Sequence, residues 1–186
     1  MIALTKFICY TQAMEFKDLI YQRQSTRKFK TDPLPMKDLE LCIEAARMSP
    51  SAVNSQPYNL YVTTGESARR ISKARGPYNS FIDNCPAFVI FTERKANIAS
   101  RLGAKFTDLD FQAMDTGIAV MSLCYQAEEL RIGTCILGLF KEKEVQEILG
   151  TKDKVCLIVA MGYPEDGYPL RTKKRRNLEE FVEYLD

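Results

Sequence analysis

Two arginines and a serine stand two residues apart at Arg23, Ser25 and Arg27, within Gln22-Arg-Gln-Ser-Thr-Arg-Lys-Phe29. In an extended chain, side chains two apart leave the backbone on the same side. Two guanidiniums and a hydroxyl would then share one small surface. In a helix, Ser25 would point away from both arginines. The extended arrangement suits a phosphate, because each guanidinium offers a fork of donors and serine adds a short hydrogen bond. A solvated basic loop is the plain alternative, and so short a motif does not decide between them.

Three further stretches could carry chemistry. Ser49-Pro50-Ser51-Ala52-Val53-Asn54-Ser55-Gln56-Pro57-Tyr58 is polar and bracketed by prolines. The Asn54 and Gln56 amides can each donate and accept, which fits a heterocycle edge or sugar hydroxyls. It also fits an ordinary helix-to-strand connection. In Gly133-Thr-Cys-Ile-Leu-Gly-Leu-Phe140, a glycine inside a strand marks close approach by a backbone or ligand, or else a bulge. Arg171 to Arg176 holds five basic residues in six. It reads as a solvated tail, as a nucleic-acid contact, or as side chains that complete the Arg23/Arg27 site.

The elements that must position these residues follow from periodicity. Helices are expected over Glu15–Tyr21, through Leu39, Cys42, Ile43 and Ala46 to Met48, over Ser67–Ala74, Leu109–Arg131 and Lys141–Leu149, and in the amphipathic Leu178–Leu185. The middle of the long helix, Gly117 to Tyr125, is apolar nearly all round, so burial on several sides is expected, with Gly133 as its stop signal. Strands are expected at Tyr58–Thr64, Ala87–Thr92, Thr134–Phe140 and Val155–Met161. Helices and strands do not alternate regularly, which favours an α+β fold.

The totals limit the chemistry. The chain has 186 residues, 46% of them hydrophobic, and a net charge of +2. That is one core-forming domain with no general pull towards polyanions. There is no histidine, so Ser-His-Asp and Cys-His nucleophile systems are excluded and a catalytic zinc is disfavoured. Six cysteines without a Cys-x-x-Cys pair read as free, buried thiols of a reducing cytoplasm. Residues 1–13 read as an optional or non-native extension, and 14–186 as a single domain. No stretch reaches the length of a membrane span.

Taken in order, the motifs resemble the FMN-dependent nitroreductase family. They are Arg-x-Ser-x-Arg, then Ser-Pro-Ser-x-x-Asn-Ser-Gln-Pro-Tyr, then Asp115-x-Gly117 in a long helix ending Glu-Glu-Leu-Arg-Ile-Gly-Thr-Cys. Ile-Leu-Gly-Leu-Phe, a strand ending Gly-Tyr-Pro, and a basic residue before Asn177-Leu178-Glu179-Glu180 follow. The resemblance runs from about Met14 to the C-terminus.

The resemblance implies an intertwined α+β homodimer, with a mainly antiparallel central sheet flanked by helices and FMN at the interface. It assigns the FMN phosphate and ribityl chain to Arg23, Gln24, Ser25 and Arg27, and the flavin of the other subunit to Pro50, Ser51, Asn54 and Gln56. Leu137 and Gly138 would lie along the ring, and Lys173 and Arg175 would return to the phosphate end, with Lys174 and Arg176 open by a shift of one residue. The implied activity is ping-pong hydride transfer from NAD(P)H to a nitroaromatic, a quinone or another flavin. No catalytic side chain, metal, nucleic acid or membrane is required. A flavin-binding protein without turnover, and a nucleic-acid binder using 171–176, are the competing readings. Only about fifteen residues separate the second strand from the long helix, where larger relatives carry an excursion that shapes the substrate cleft.

Overall fold

A computed structural model describes residues 14–185. The expected extension at 1–13, with Cys9, lies outside them. Four strands form one antiparallel sheet in the order β1-β2-β4-β3. They are β1 (Tyr58–Thr64), β2 (Ala87–Glu93), β3 (Gly133–Leu137) and β4 (Val155–Gly162). The register is fixed by apolar partners such as Val89, which lies opposite Val62 and Val159. Strand β2 is central, and Ala87 to Thr92 are buried on both faces, which explains its unbroken apolar run.

Two helical layers cover the sheet. On one face α2 (Met36–Arg47) and α5 (Phe111–Glu129) pack Leu39, Cys42, Leu123 and Cys124 against Val89, Phe91 and Val159. On the other, α3 (Gly65–Lys73) and α6 (Glu142–Leu149) pack Ile71 and Val145 against Phe88, Ile90 and Ile158. This is the α+β layering expected. Helix α1 (Phe16–Gln22) sits against α5, and α4 (Ile98–Thr107) and α7 (Leu178–Phe181) complete the set. Four of the five described cysteines are buried and all five are free.

Four expectations are corrected. Helix α4 fills the segment between β2 and α5, where none was expected. Its Ile98, Leu102 and Phe106 stand four apart, a helical spacing, but all three are exposed, so the stripe does not face this chain's core. The third strand ends at Leu137; the chain leaves the sheet at Gly138, and Phe140 bridges to Arg75 instead. Helix α5 is not stopped by Gly133. Arg131 takes the left-handed conformation, φ 59°, and Gly133 opens β3. The final helix covers only Leu178–Phe181. Its Leu178 and Phe181 are exposed among the described residues, and so short a helix is not stable alone.

Candidate functional site

Segment 23–30 lies along the sheet's β3 edge and then reaches the end of β4. Ser25 forms a parallel bridge with Thr134 and Phe29 an antiparallel one with Pro164. The Thr26 N–H donates to Thr134 O at 2.8 Å. Thr26 is buried against Gly133, where a Cβ would lie 2.5 Å from Thr26 Oγ1. Thr26 therefore faces inward, and its neighbours Ser25 and Arg27 turn the other way. The alternation expected of an extended segment is present.

Arg23, Ser25 and Arg27 converge on Cys135 of β3. Burial pushes the Cys135 thiol up, and Arg27, the Ser25 hydroxyl, Arg171 and Arg23 oppose that rise. The Arg27 guanidinium lies 5.9 Å from the Phe81 ring centre, within cation–π range. Its backbone N–H donates to the Tyr168 hydroxyl at 2.9 Å.

The C-terminal segment folds back onto this strip. Gln24 Nε2 donates to Pro169 O at 3.0 Å, and Gln24 Oε1 accepts from Arg171 N and Nε, each at 3.1 Å. Arg171 also donates to Ser25 O, and Lys173 Nζ to Arg23 O. The Gln24 amide is thus engaged by the chain itself. Arg171 joins the strip although sequence reasoning passed over it in favour of Lys173 and Arg175. The signal was present, since 171, 173 and 175 are two apart like 23, 25 and 27.

These cations crowd one another. The Lys173 ammonium is held below the ordinary lysine range by desolvation and by Arg23, Arg175 and Arg171, with only Glu128 opposing. Glu128, near the end of α5, is itself pushed up by burial, against the pull of Arg131, Arg23 and Lys173. One half-buried carboxylate does not balance four cations. Crowded cations of this kind suit an anion. The donor set, forked guanidiniums beside an ammonium and the Ser25 hydroxyl, fits a phosphate.

The polar turn at 51–56 sits elsewhere. Val53, Asn54 and Gln56 all have left-handed backbones, with φ of 46°, 51° and 45°, a conformation that non-glycine residues rarely adopt. The turn is tied internally, since Gln56 N donates to Ser51 Oγ at 3.0 Å and Gln56 Nε2 to Asn54 Oδ1 at 2.8 Å. From outside, Asp115 Oδ1 accepts from Ala52 N at 3.0 Å. Asn97 donates its main-chain N–H to Ser55 Oγ at 2.9 Å and Nδ2 to Val53 O at 3.1 Å. Pro50 and Asn54 stand exposed. Strain concentrated in a polar turn marks functional sites.

The two groups are not adjacent within one chain. The turn is anchored at Asp115 and the cationic strip lies by Glu128, at opposite ends of α5. Thirteen residues of helix span roughly 20 Å. Leu137, buried at the end of β3, and the exposed Gly138 lie beyond Cys135 from the strip. Nothing stands within 4 Å of the space a Gly138 Cβ would take, so a flat group can approach its backbone closely.

Among the described residues no helix is long and apolar enough to cross a membrane. Comparison with known proteins agrees with the motif order. Residues 20–76 and 72–163 match the model of the nitroreductase family. The FMN reductase [NAD(P)H] of Bacillus subtilis is 28% identical, over 88% of this chain and 70% of its own length. The NADH dehydrogenase of Thermus thermophilus is 23% identical, over 84% and 90%. Among solved structures, a nitroreductase family protein from Streptococcus pneumoniae TIGR4 superposes with a TM-score of 0.77 at 22% identity, covering 92% of this chain and all of its own.

Proposed function

Since this chain belongs to the nitroreductase family, we propose that it is an FMN-containing oxidoreductase that passes a hydride from NAD(P)H to an electron-poor acceptor. The single observation that carries the reading is the uncompensated cationic strip of Arg23, Arg171, Lys173 and Arg175 beside Ser25. It offers what the phosphate of FMN needs. Bound FMN would supply the hydride chemistry itself, which accords with a chain that has no histidine. The chain's residues bind and orient. Arg23, Arg171 and Lys173 hold the phosphate end, and Arg27 leans towards the ring with Phe81 beneath it. Ser51, Asn54 and Gln56 present amides and a hydroxyl to a ring edge. Gly138 leaves its backbone N–H open to close approach. A nearby cation favours the reduced, more negative flavin.

The separation of strip and turn along α5 favours a site shared by two copies, one giving the strip and the other the turn. The face of α5 that holds Met114, Gly117 and Ile118 is exposed in the single chain, and the homodimer would cover it. Ping-pong turnover follows from one cleft serving donor and acceptor in turn. Nitroaromatics and quinones are the acceptor class, being flat and electron-poor. The competing nucleic-acid reading of 171–176 is weakened by the near-neutral net charge of +2, which gives no general pull towards a polyanion.

The test is a visible absorption spectrum of the purified protein, heat release of the chromophore, and anaerobic addition of NADH or NADPH. Flavin bands, free FMN in the supernatant and bleaching by a nicotinamide are expected. A colourless protein that takes up no added FMN would overturn the reading. A yellow protein that no nicotinamide reduces would leave a flavin-binding protein without turnover.

A further inference from the structure

Asn97 uses both ends of its side-chain amide in opposite directions. Its Oδ1 accepts from Ser100 N at 2.8 Å and so caps α4. Its Nδ2 donates to Val53 O at 3.1 Å, and its main-chain N–H donates to Ser55 Oγ at 2.9 Å. A flipped amide would set donor against donor at Ser100 and acceptor against acceptor at Val53, so the network fixes its orientation. Serine, threonine or aspartate would cap the helix as well. Aspartate has no donor for the Val53 carbonyl, and a serine or threonine hydroxyl has one oxygen for both roles, set one bond nearer the backbone than the amide nitrogen. The residue type is therefore matched to two tasks, and only one of them is capping.

The second task concerns the strained turn. Val53 is β-branched and holds φ 46°, followed by Asn54 at 51° and Gln56 at 45°. Such backbone persists only where surrounding bonds over-determine it. One anchor, Asp115 to Ala52, comes from the buried helix α5. The other two come from Asn97, at the head of α4. That helix touches the 52–54 turn, and its Ile98 and Phe106 are 72% and 87% exposed. Helix α4 meets this turn directly, so where α4 lies and where Val53 to Ser55 lie are coupled through Asn97.

We propose that Asn97 is a positioning residue for the cofactor turn, holding Val53 and Ser55 in place and coupling them to α4. This rests on the reading of Ser51, Asn54 and Gln56 as flavin contacts. Three variants separate the roles. Asn97→Asp keeps a capping oxygen and has no donor for Val53; Asn97→Ser keeps the oxygen but draws its single polar atom one bond back from Val53; Asn97→Ala loses both. The measurements are amide hydrogen exchange at Asn54, Ser55 and Gln56 in the apoprotein, FMN affinity by fluorescence quenching, and thermal unfolding.

In Asn97→Ser and Asn97→Asp, exchange at the three amides and the Kd for FMN should each rise about fivefold, the scale of one hydrogen bond. The unfolding temperature should stay near that of the unmodified protein. Asn97→Ala should show the same rises together with a lower unfolding temperature. If only Asn97→Ala departs, Asn97 is a helix cap alone and the proposal is overturned. Faster exchange with unchanged FMN affinity also overturns it, because the turn would then not seat the cofactor. Protein that binds no FMN refutes the functional reading instead, and exchange still decides whether the tether exists.

Discussion

The Asp115 carboxylate accepts the Ala52 N–H at 3.0 Å, so the first turns of α5 hold the strained turn that precedes β1. Asp115 is 3% exposed, and its second oxygen has no partner among the described residues. Tyr58, whose hydroxyl is likewise unpartnered, is pushed up by burial and then by the Asp115 charge. Asp115→Ala should leave the Ala52 N–H unsatisfied and cost about 1–3 kcal/mol. Asp115→Asn retains an acceptor and should cost less. Chemical denaturation of the two variants compares them directly, and equal losses would show that the Ala52 bond is unimportant.

Gly133→Ala should be damaging out of proportion to one methyl group. Its Cβ would meet Thr26 Oγ1 at 2.5 Å and Thr26 Cβ at 2.9 Å. Overpacking of this kind costs roughly 1–3 kcal/mol, and here it would lift Ser25 and Arg27 off β3. Both thermal stability and FMN uptake should fall. Adding Thr26→Ala removes the nearer atom and should restore part of each.

Removing phosphate contacts should release cofactor from a protein that stays folded. Arg23→Ala alone should weaken FMN binding by about tenfold or more, since a charge-assisted hydrogen bond contributes roughly 1.5–3 kcal/mol. Arg23→Ala with Lys173→Ala should leave apoprotein on purification. Circular dichroism would establish folding and equilibrium dialysis the loss. Full flavin occupancy in the double variant would refute the phosphate assignment.

FMN binding should weaken in alkali earlier than an ordinary lysine would allow. In the apoprotein Lys173 sits below the usual 10.5, chiefly through desolvation and then its cationic neighbours. A bound phosphate pulls that pKa back up, so binding takes up a proton once the free ammonium has begun to lose its own. Affinity is therefore full below the depressed pKa and declines as pH rises through it. Lys173→Gln should bind more weakly at neutral pH and lack this alkaline decline. Titrations across the alkaline range would distinguish the two proteins.

Glu128→Gln should strengthen FMN binding at neutral pH, because it removes the one anion that competes for Arg23 and Lys173. The Glu128 pKa is raised in the folded state, first by burial. Its contribution to stability is thus present at low pH and lost as pH rises through the raised value. The glutamine variant should not show that loss, which a series of unfolding curves across mildly acidic pH would reveal.

The sequence exposed what depends on period and order. Strand β2 is legible because Ala87 to Phe91 are covered on both sides, and Arg23, Ser25 and Arg27 because an edge segment alternates. Helix α4 has helical spacing at Ile98, Leu102 and Phe106, but the stripe is short, Gly103 within it is a poor helix former, and all three side chains are exposed. Arg171 was hidden by company: in a run of five basic residues, only the path of the backbone shows which ones turn back. The roles of Asp115 and Gly133 are tertiary contacts with Ala52 and Thr26, and no local pattern encodes a partner so far away.

The bonds from Gln24 to Pro169, from Arg171 to Ser25 and from Lys173 to Arg23 join residues 145, 146 and 150 positions apart. That separation imposes a timetable. A ribosome that has released Arg23, Ser25 and Arg27 has most of the chain still to make before Lys173 exists to meet them. The nascent polypeptide can build α1, α2 and even the sheet, yet it presents only half a binding strip. On the proposed phosphate site, cofactor loading therefore waits until Lys173 has been made, and a chain stalled before Arg171 would be unable to compete for scarce FMN with chains that have passed it.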